Sequence, residues 1–169
     1  DVMGTVFRRK NVQKLGIAPL TSMFFYGENT SQRPVDDFRP EVHDTDGLLI
    51  AFNSGEWLWR PLVNPRTLLV NSFKASEPVG FGLMQRNRDF NSYQDLEAHY
   101  ESKPSAWITP RGKWGEGHLE LIQIPTSSEL NDNIFTFWVP EKLPDLGKPF
   151  SFSYTMSWHS PEKSRPPAG

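Results

Sequence analysis

The chain has 169 residues, 37% hydrophobic and 13% aromatic, with 15 prolines, 12 glycines, no cysteine and a formal net charge of −2. That length suffices for one domain with a sizeable core. The lack of cysteine excludes a disulfide framework, thiol catalysis and a Cys-based metal site, and the near-neutral charge without any basic run excludes the electrostatic footprint of a nucleic-acid binder. No apolar run approaches the roughly 20 residues of a membrane span, so no membrane insertion is expected. Frequent Pro and Gly leave little room for long helices, and apolar volume supplied by Phe and Trp favours sheets, so the expected class is all-β.

The chain opens at Asp1 without a Met and enters a strand, VMGTVFRR, at once, and it is read as an internal piece of a longer protein. IAPLTSMFFYGE follows as a strand apolar on both faces beyond Ser22. A long polar segment then ends in Glu41, His43, Asp44 and Asp46, four titratable groups within six positions. From Leu48 the pattern predicts hairpins: LLIAFN, WLWRPLV and LLVNSFKA around NSGE and NPRT turns. In VGFGLMQRN, Gly80 and Gly82 predict close approach of a neighbouring backbone or side chain. DFNSYQDLEAHYESKPS is the one helical stretch, with Tyr93, Leu96, Glu97 and Tyr100 at helical spacing and Ser92 as a possible cap. AWITPRGKWGEG and HLELIQI are expected to pair around a Gly-rich turn. PFSFSYTMSWH alternates most cleanly, Phe150, Phe152, Tyr154, Met156 and Trp158 on one face and small polar residues on the other. SPEKSRPPAG has linker composition.

Two acidic clusters could carry chemistry: Glu41, Asp44 and Asp46 before one strand, Glu129 and Asp132 in TSSELNDN before another. Asn and Asp are also ordinary turn formers, and that reading of the second loop stays open. Two carboxylates projected from separate loops over a sheet are the minimum for glycoside hydrolysis. Trp and Tyr rings suit such a substrate because they pack on the apolar faces of sugars. Trp107 and Trp114, beside loops, are the expected sugar platforms, whereas Trp57, Trp59 and Trp158 sit at regular strand positions and are expected in the core. HDTDG resembles the start of a calcium loop, but Leu-Leu-Ile follows and the downstream Glu is absent. The four histidines show no paired ligand spacing, and no G-x-S-x-G elbow exists. No metal and no cofactor is expected.

The runs LTSMFFYGEN, FRPEVHDTDGLL, GEWLWRPL, GFGLMQRNRDF, YQDLEAHYESKPSAWI, WGEGHLELIQIPT and ELNDNIFTFWVPE, in this order, resemble the bacterial periplasmic glucan biosynthesis proteins G and D. The resemblance covers nearly the whole chain. It implies a galactose-mutarotase-like antiparallel β-sandwich, of which residues 1–159 would be the C-terminal portion, with 160–169 as linker towards an immunoglobulin-like domain. It also implies a periplasmic location, a role in making osmoregulated periplasmic glucans, and inverting cleavage of β-1,2-glucan. Asp132 then corresponds to the general acid and Asp44 to the general base. Tyr100 and Glu129 look like substrate-site residues, joined by His43, Asp46, Trp107 and Arg39. Expected partners are β-1,2-linked glucan and membrane-bound glucan synthesis machinery. An alternative is a non-catalytic groove that holds nascent glucan and presents it to that machinery. An inverting enzyme ordinarily keeps its carboxyls about 6.5–9.5 Å apart, and its acid needs burial or a like-charged neighbour, a part Glu129 could play. In this family the proton is thought to pass through substrate hydroxyls and waters, which would allow a wider gap.

Overall fold

A computed structural model describes residues 1–30 and 33–160. Apart from Ser160, the stretch read as a linker lies outside the described residues. The fold is an all-β antiparallel sandwich. Its larger sheet has six strands in the order β1 (Val2–Phe7), β12 (Pro149–His159), β9 (Ser105–Arg111), β8 (Gly80–Met84), β5 (Gly47–Ala51) and β6 (Trp57–Pro61). The smaller runs β2 (Ile17–Ser22), β11 (Ile134–Pro140), β10 (Gly117–Gln123) and β7 (Leu69–Lys74), and β3 (Phe24–Tyr26) pairs with β4 (Val42–His43).

The core lies between the two sheets, where alternation on each strand delivers one apolar face. Leu48, Ile50, Phe81, Leu83, Ile108 and Tyr154 face Leu20, Leu119, Leu121, Ile134 and Trp138. Phe150, Phe152 and Met156 of β12 pack against this core, as the alternation of that strand predicts. Trp114 plugs it from the turn after β9. Its indole N–H donates to the Ser153 carbonyl at 3.1 Å, and its ring lies 5.2 Å from that of Trp138. A second cluster covers the outer face of the larger sheet, with Leu49, Ala51, Met84 and Trp107 under Trp59. The glycines there are required by those rings: a Cβ on Gly47 would stand 2.0 Å from Trp59, and one on Gly80 would stand 2.4 Å from Trp107. The close approach expected at Gly80 is therefore made by the Trp107 side chain, and that at Gly82 by the Ala106 carbonyl, 2.2 Å from where a Cβ would stand, with Trp107 at 2.8 Å.

Three expectations about local structure need correction. The hairpin of β5 and β6 forms, but β7 joins the other sheet. The segment between them crosses the sandwich, burying Leu62 completely and tying Val63 N–H to Gln123 Oε1 at 2.9 Å. In the same way β9 and β10 do not pair, because Trp114 leads the chain across the core from one sheet to the other. The helical stretch shrinks to one turn, α1 (Phe90–Tyr93), capped by Asp89 rather than Ser92, and a separate 3₁₀ turn at Tyr100–Ser102. Gln94 and His99 both take left-handed backbone. Between them, Asp95 Oδ1 accepts from the N–H groups of Glu97 and Ala98 at 2.9 and 2.7 Å. This local turn competes with the helix ladder and ends it.

Candidate active site

The loop between β10 and β11 is fastened at several points before any ligand is considered. Asn133, nearly fully buried, accepts from Phe24 N–H at 2.8 Å and donates to the carbonyls of Phe24 and Ile124, each at 3.0 Å. Asn64 brackets Thr126, accepting from its N–H at 3.0 Å and donating to its carbonyl at 2.8 Å. Both amides satisfy backbone groups that the loop leaves unpaired, as buried polar groups must be. Asp132 precedes Asn133 and projects outward, exposed, with Thr21 Oγ1 donating to its Oδ2 at 3.0 Å.

Glu129, in the same loop, faces Arg39. The guanidinium donates to both Glu129 oxygens, at 2.8 and 3.1 Å, to both oxygens of Asp37, at 2.9 and 2.7 Å, and to Asp95 Oδ2 at 2.7 Å. The Tyr100 hydroxyl donates to Glu129 Oε2 at 2.7 Å. Burial, then the hydrogen bond and charge of Glu129, push the Tyr100 phenol well above its usual range, so it remains a donor. The Arg39 hydrogen bonds likewise hold Asp37 well below the usual carboxylate range. The charge of Glu129 is therefore directed at Arg39.

Asp44 and Asp132 line one cleft of about 430 Å³. It opens where the edge of β2 faces the ends of β8, β9 and β12. Leu20 forms one wall, Leu83, Ala106, Met156 and Trp158 the other, and Asp44, Asp132 and Lys103 supply the charges. Lys103 Nζ lies 3.3 Å from Asp44 Oδ1. Lys103 itself is placed by Arg88, which donates to its carbonyl and to that of Glu101. Backbone pairing of Asp44 N–H to the Met23 carbonyl at 2.9 Å fixes the other partner.

Asp46, two residues on, lines a different cavity of about 650 Å³ together with Glu41, His43, Trp59, Arg86 and Asn87. The two aspartates of HDTDG thus diverge. Among the described residues no group of three or more His, Cys, Asp or Glu could hold a metal ion. Burial raises the Asp46 carboxyl above its usual value, although the N–H groups of Arg86 and Asn87 donate to it at 3.2 and 3.3 Å. His43 is fully buried, stacked on Phe24, with one ring nitrogen 2.9 Å from Glu41 and the other 3.1 Å from Gln85. The Gln85 amide nitrogen already donates to the Tyr93 hydroxyl and the Tyr100 carbonyl, so its oxygen accepts from His43. Both ring nitrogens are thereby engaged, which fixes His43 in the wall of this second cavity.

The tryptophans reverse the expected assignment. Trp107 is only 8% exposed and lies on the outer face of the larger sheet, stacked under Trp57 and away from the cleft. Trp114 is in the core. Trp158 is 60% exposed and lines the cleft. Trp57 is exposed and Trp59 half-buried, with the Arg86 guanidinium 4.7 Å over its ring. Alternation identifies which residues share a face but not how far the facing sheet extends, and β12 runs past the cover of the smaller sheet. Of the expected site residues, the fold therefore brings Asp44 and Asp132 to one cleft. Arg39 and Tyr100, from two other segments, meet Glu129 of the Asp132 loop in one network, while His43, Asp46 and Trp107 lie elsewhere. Lys103, Thr21 and Trp158 carried no signal in the sequence that would single them out.

A family model described as periplasmic glucan biosynthesis protein, MdoG, matches residues 1–169. The chain belongs to the MdoG family. Among curated members, the glucans biosynthesis protein G of Ralstonia nicotianae is 54% identical over 166 residues, covering 98% of this chain and 33% of that protein. Those of Pseudomonas entomophila and Pseudomonas putida strain W619 are 52% and 54% identical, covering 96% and 94% of this chain and 29% and 27% of theirs. The chain thus spans about a third or less of the MdoG-family proteins it matches.

Proposed function

We propose that this chain carries the acid–base pair of an inverting β-1,2-glucan hydrolase that acts in periplasmic glucan biosynthesis. The observation that supports it is the shared cleft of Asp44 and Asp132, delivered by two loops 88 positions apart in sequence that are both fastened to residues 22–24. Asp132 protonates the leaving glycosidic oxygen. A glucan lying in the cleft covers this exposed carboxyl and removes it from water, the condition under which a carboxylic acid keeps its proton. Asp44, in contact with the Lys103 ammonium, takes the proton of the attacking water on the other face of the sugar. The apolar wall of Met156 and Trp158 offers a surface for the pyranose face.

The exposure of Asp132 is what favours a second reading, a groove that binds nascent glucan and hands it to membrane-bound machinery without cutting it. Incubating the full-length protein with linear β-1,2-glucan separates the two. Appearance of shorter oligosaccharides, abolished by Asp132→Asn with binding retained, supports hydrolysis. Undiminished glucan that is nevertheless bound supports presentation and removes the catalytic assignments.

A further inference from the structure

Arg39 stands in the network with nothing to spare. A guanidinium has five N–H donors, and each of the five meets a carboxylate oxygen: two on Asp37, two on Glu129 and one on Asp95. Its partners come from three separate segments, and none of these segments is held down by the apolar residue beside its acid. Phe38, Leu96 and Leu130 are 77%, 79% and 89% exposed. At the acids themselves the segments meet through charge, while Tyr26, Val42, Tyr93 and Tyr100 pack together beside them.

The connections close on themselves. Arg39 reaches Asp95, whose other oxygen fixes the turn over Glu97 and Ala98. That turn delivers Tyr100, and Tyr100 returns to Glu129, which is also held by Arg39. Glu129 lies three residues before Asp132 on a loop whose far end is pinned by Asn133. Two fixed points on either side of Asp132 leave its backbone little freedom.

We propose that Arg39 is a positioning residue of the cleft: by bridging Asp37, Asp95 and Glu129 it sets the loop that carries Asp132, and it does not touch the glucan. The inference rests on the hydrolytic reading of that cleft. Three carboxylates share one cation here, so removing the cation leaves like charges facing one another and drives the segments apart. A lysine cannot substitute, because a point charge with three donors cannot form two bidentate pairs and a fifth bond at once. Catalytic groups lose rate steeply when displaced by even an ångström.

The test uses full-length protein, linear β-1,2-glucan, and the variants Arg39→Lys and Arg39→Gln. Both are expected to lower kcat at least tenfold while KM stays within twofold, and to speed hydrogen exchange of amides 127–132 while those of β10 and β11 keep their protection. Adding Glu129→Gln to Arg39→Gln removes one of the repelling charges and is expected to slow that exchange again. Should both Arg39 variants fail to fold, Asp95→Asn, which leaves the guanidinium and its other two partners in place, is expected to give the same changes at two- to fivefold size. A tenfold rise in KM with unchanged exchange would place Arg39 on the glucan and overturn the proposal, as would exchange and kcat both left unchanged. If the wild-type protein cuts no glucan, the hydrolytic reading fails on its own, and the exchange comparison still decides whether Arg39 sets this loop.

Discussion

Asp37 and Asp46, nine positions apart, respond to pH in opposite directions. Asp37 is held low by Arg39, so its contribution to stability is complete above the ordinary value of 3.8 and is lost as pH falls below it. Asp46 is raised by burial, so the folded chain keeps that proton to higher pH than the unfolded chain, and stability declines as pH rises from 3.8 through its folded value. Calorimetry across pH should therefore show Asp46→Asn with a higher Tm than wild type at pH 7, the gain shrinking towards pH 4. Asn still accepts from the N–H groups of Arg86 and Asn87 that now bond Asp46 Oδ2. Asp37→Asn should show the reverse, a lower Tm at pH 7 and a deficit that closes in acid. A pH-independent difference for either variant would mean that its ionisation is not what matters. Trp158 belongs to the same scale: Trp158→Ala should raise KM for glucan several-fold with kcat little changed, and added glucan should quench wild-type tryptophan fluorescence more than that of the variant.

Between elements, the join that matters most is Asn133, which ties the start of β11 to β3 and to the end of β10. Asn133→Ala leaves Phe24 N–H and two carbonyls without these partners in a buried place, at a cost of about 2–4 kcal/mol by the usual penalty for orphaned groups, readable as a lower urea midpoint. A midpoint within experimental error of wild type would show that water or a backbone shift replaces the side chain. The strands themselves were legible because alternation is local: β12 reads directly from Phe150, Phe152, Tyr154 and Met156. Their partners were not. Nothing in the stretch from β6 to β7 distinguishes a hairpin from a crossing, since the decision is made by Gln123 and Asn64 reaching segments tens of residues away. Likewise the helical spacing of Tyr93 and Tyr100 is real, and both rings are buried, yet Asp95 breaks the helix between them and Leu96 faces water. The pairing of Asp44 with Asp132 came from family resemblance, because two loops so far apart in sequence leave no local trace of sharing a cleft.

As a whole, the described residues form a sandwich whose sheets end in unpaired strands, β1 and β6 on the larger and β2 and β7 on the smaller. Free backbone edges template association, and β1 adds exposed Met3 and Phe7. The isolated 169-residue chain is expected to self-associate, with sedimentation changing over micromolar concentrations; a monomer that melts cooperatively at all concentrations would contradict this. The match of this chain to about a third of its relatives makes the full-length protein the right material for the chemistry. The most direct test follows the anomeric proton signals of the first products formed by full-length protein from linear β-1,2-glucan. Inversion at the cleft of Asp44 and Asp132 should give α-anomer first, with a loss of about 10²–10⁴ in rate for Asp132→Asn, the usual worth of a general acid. β-Anomer as the first product, or an unchanged rate in Asp132→Asn, would contradict it.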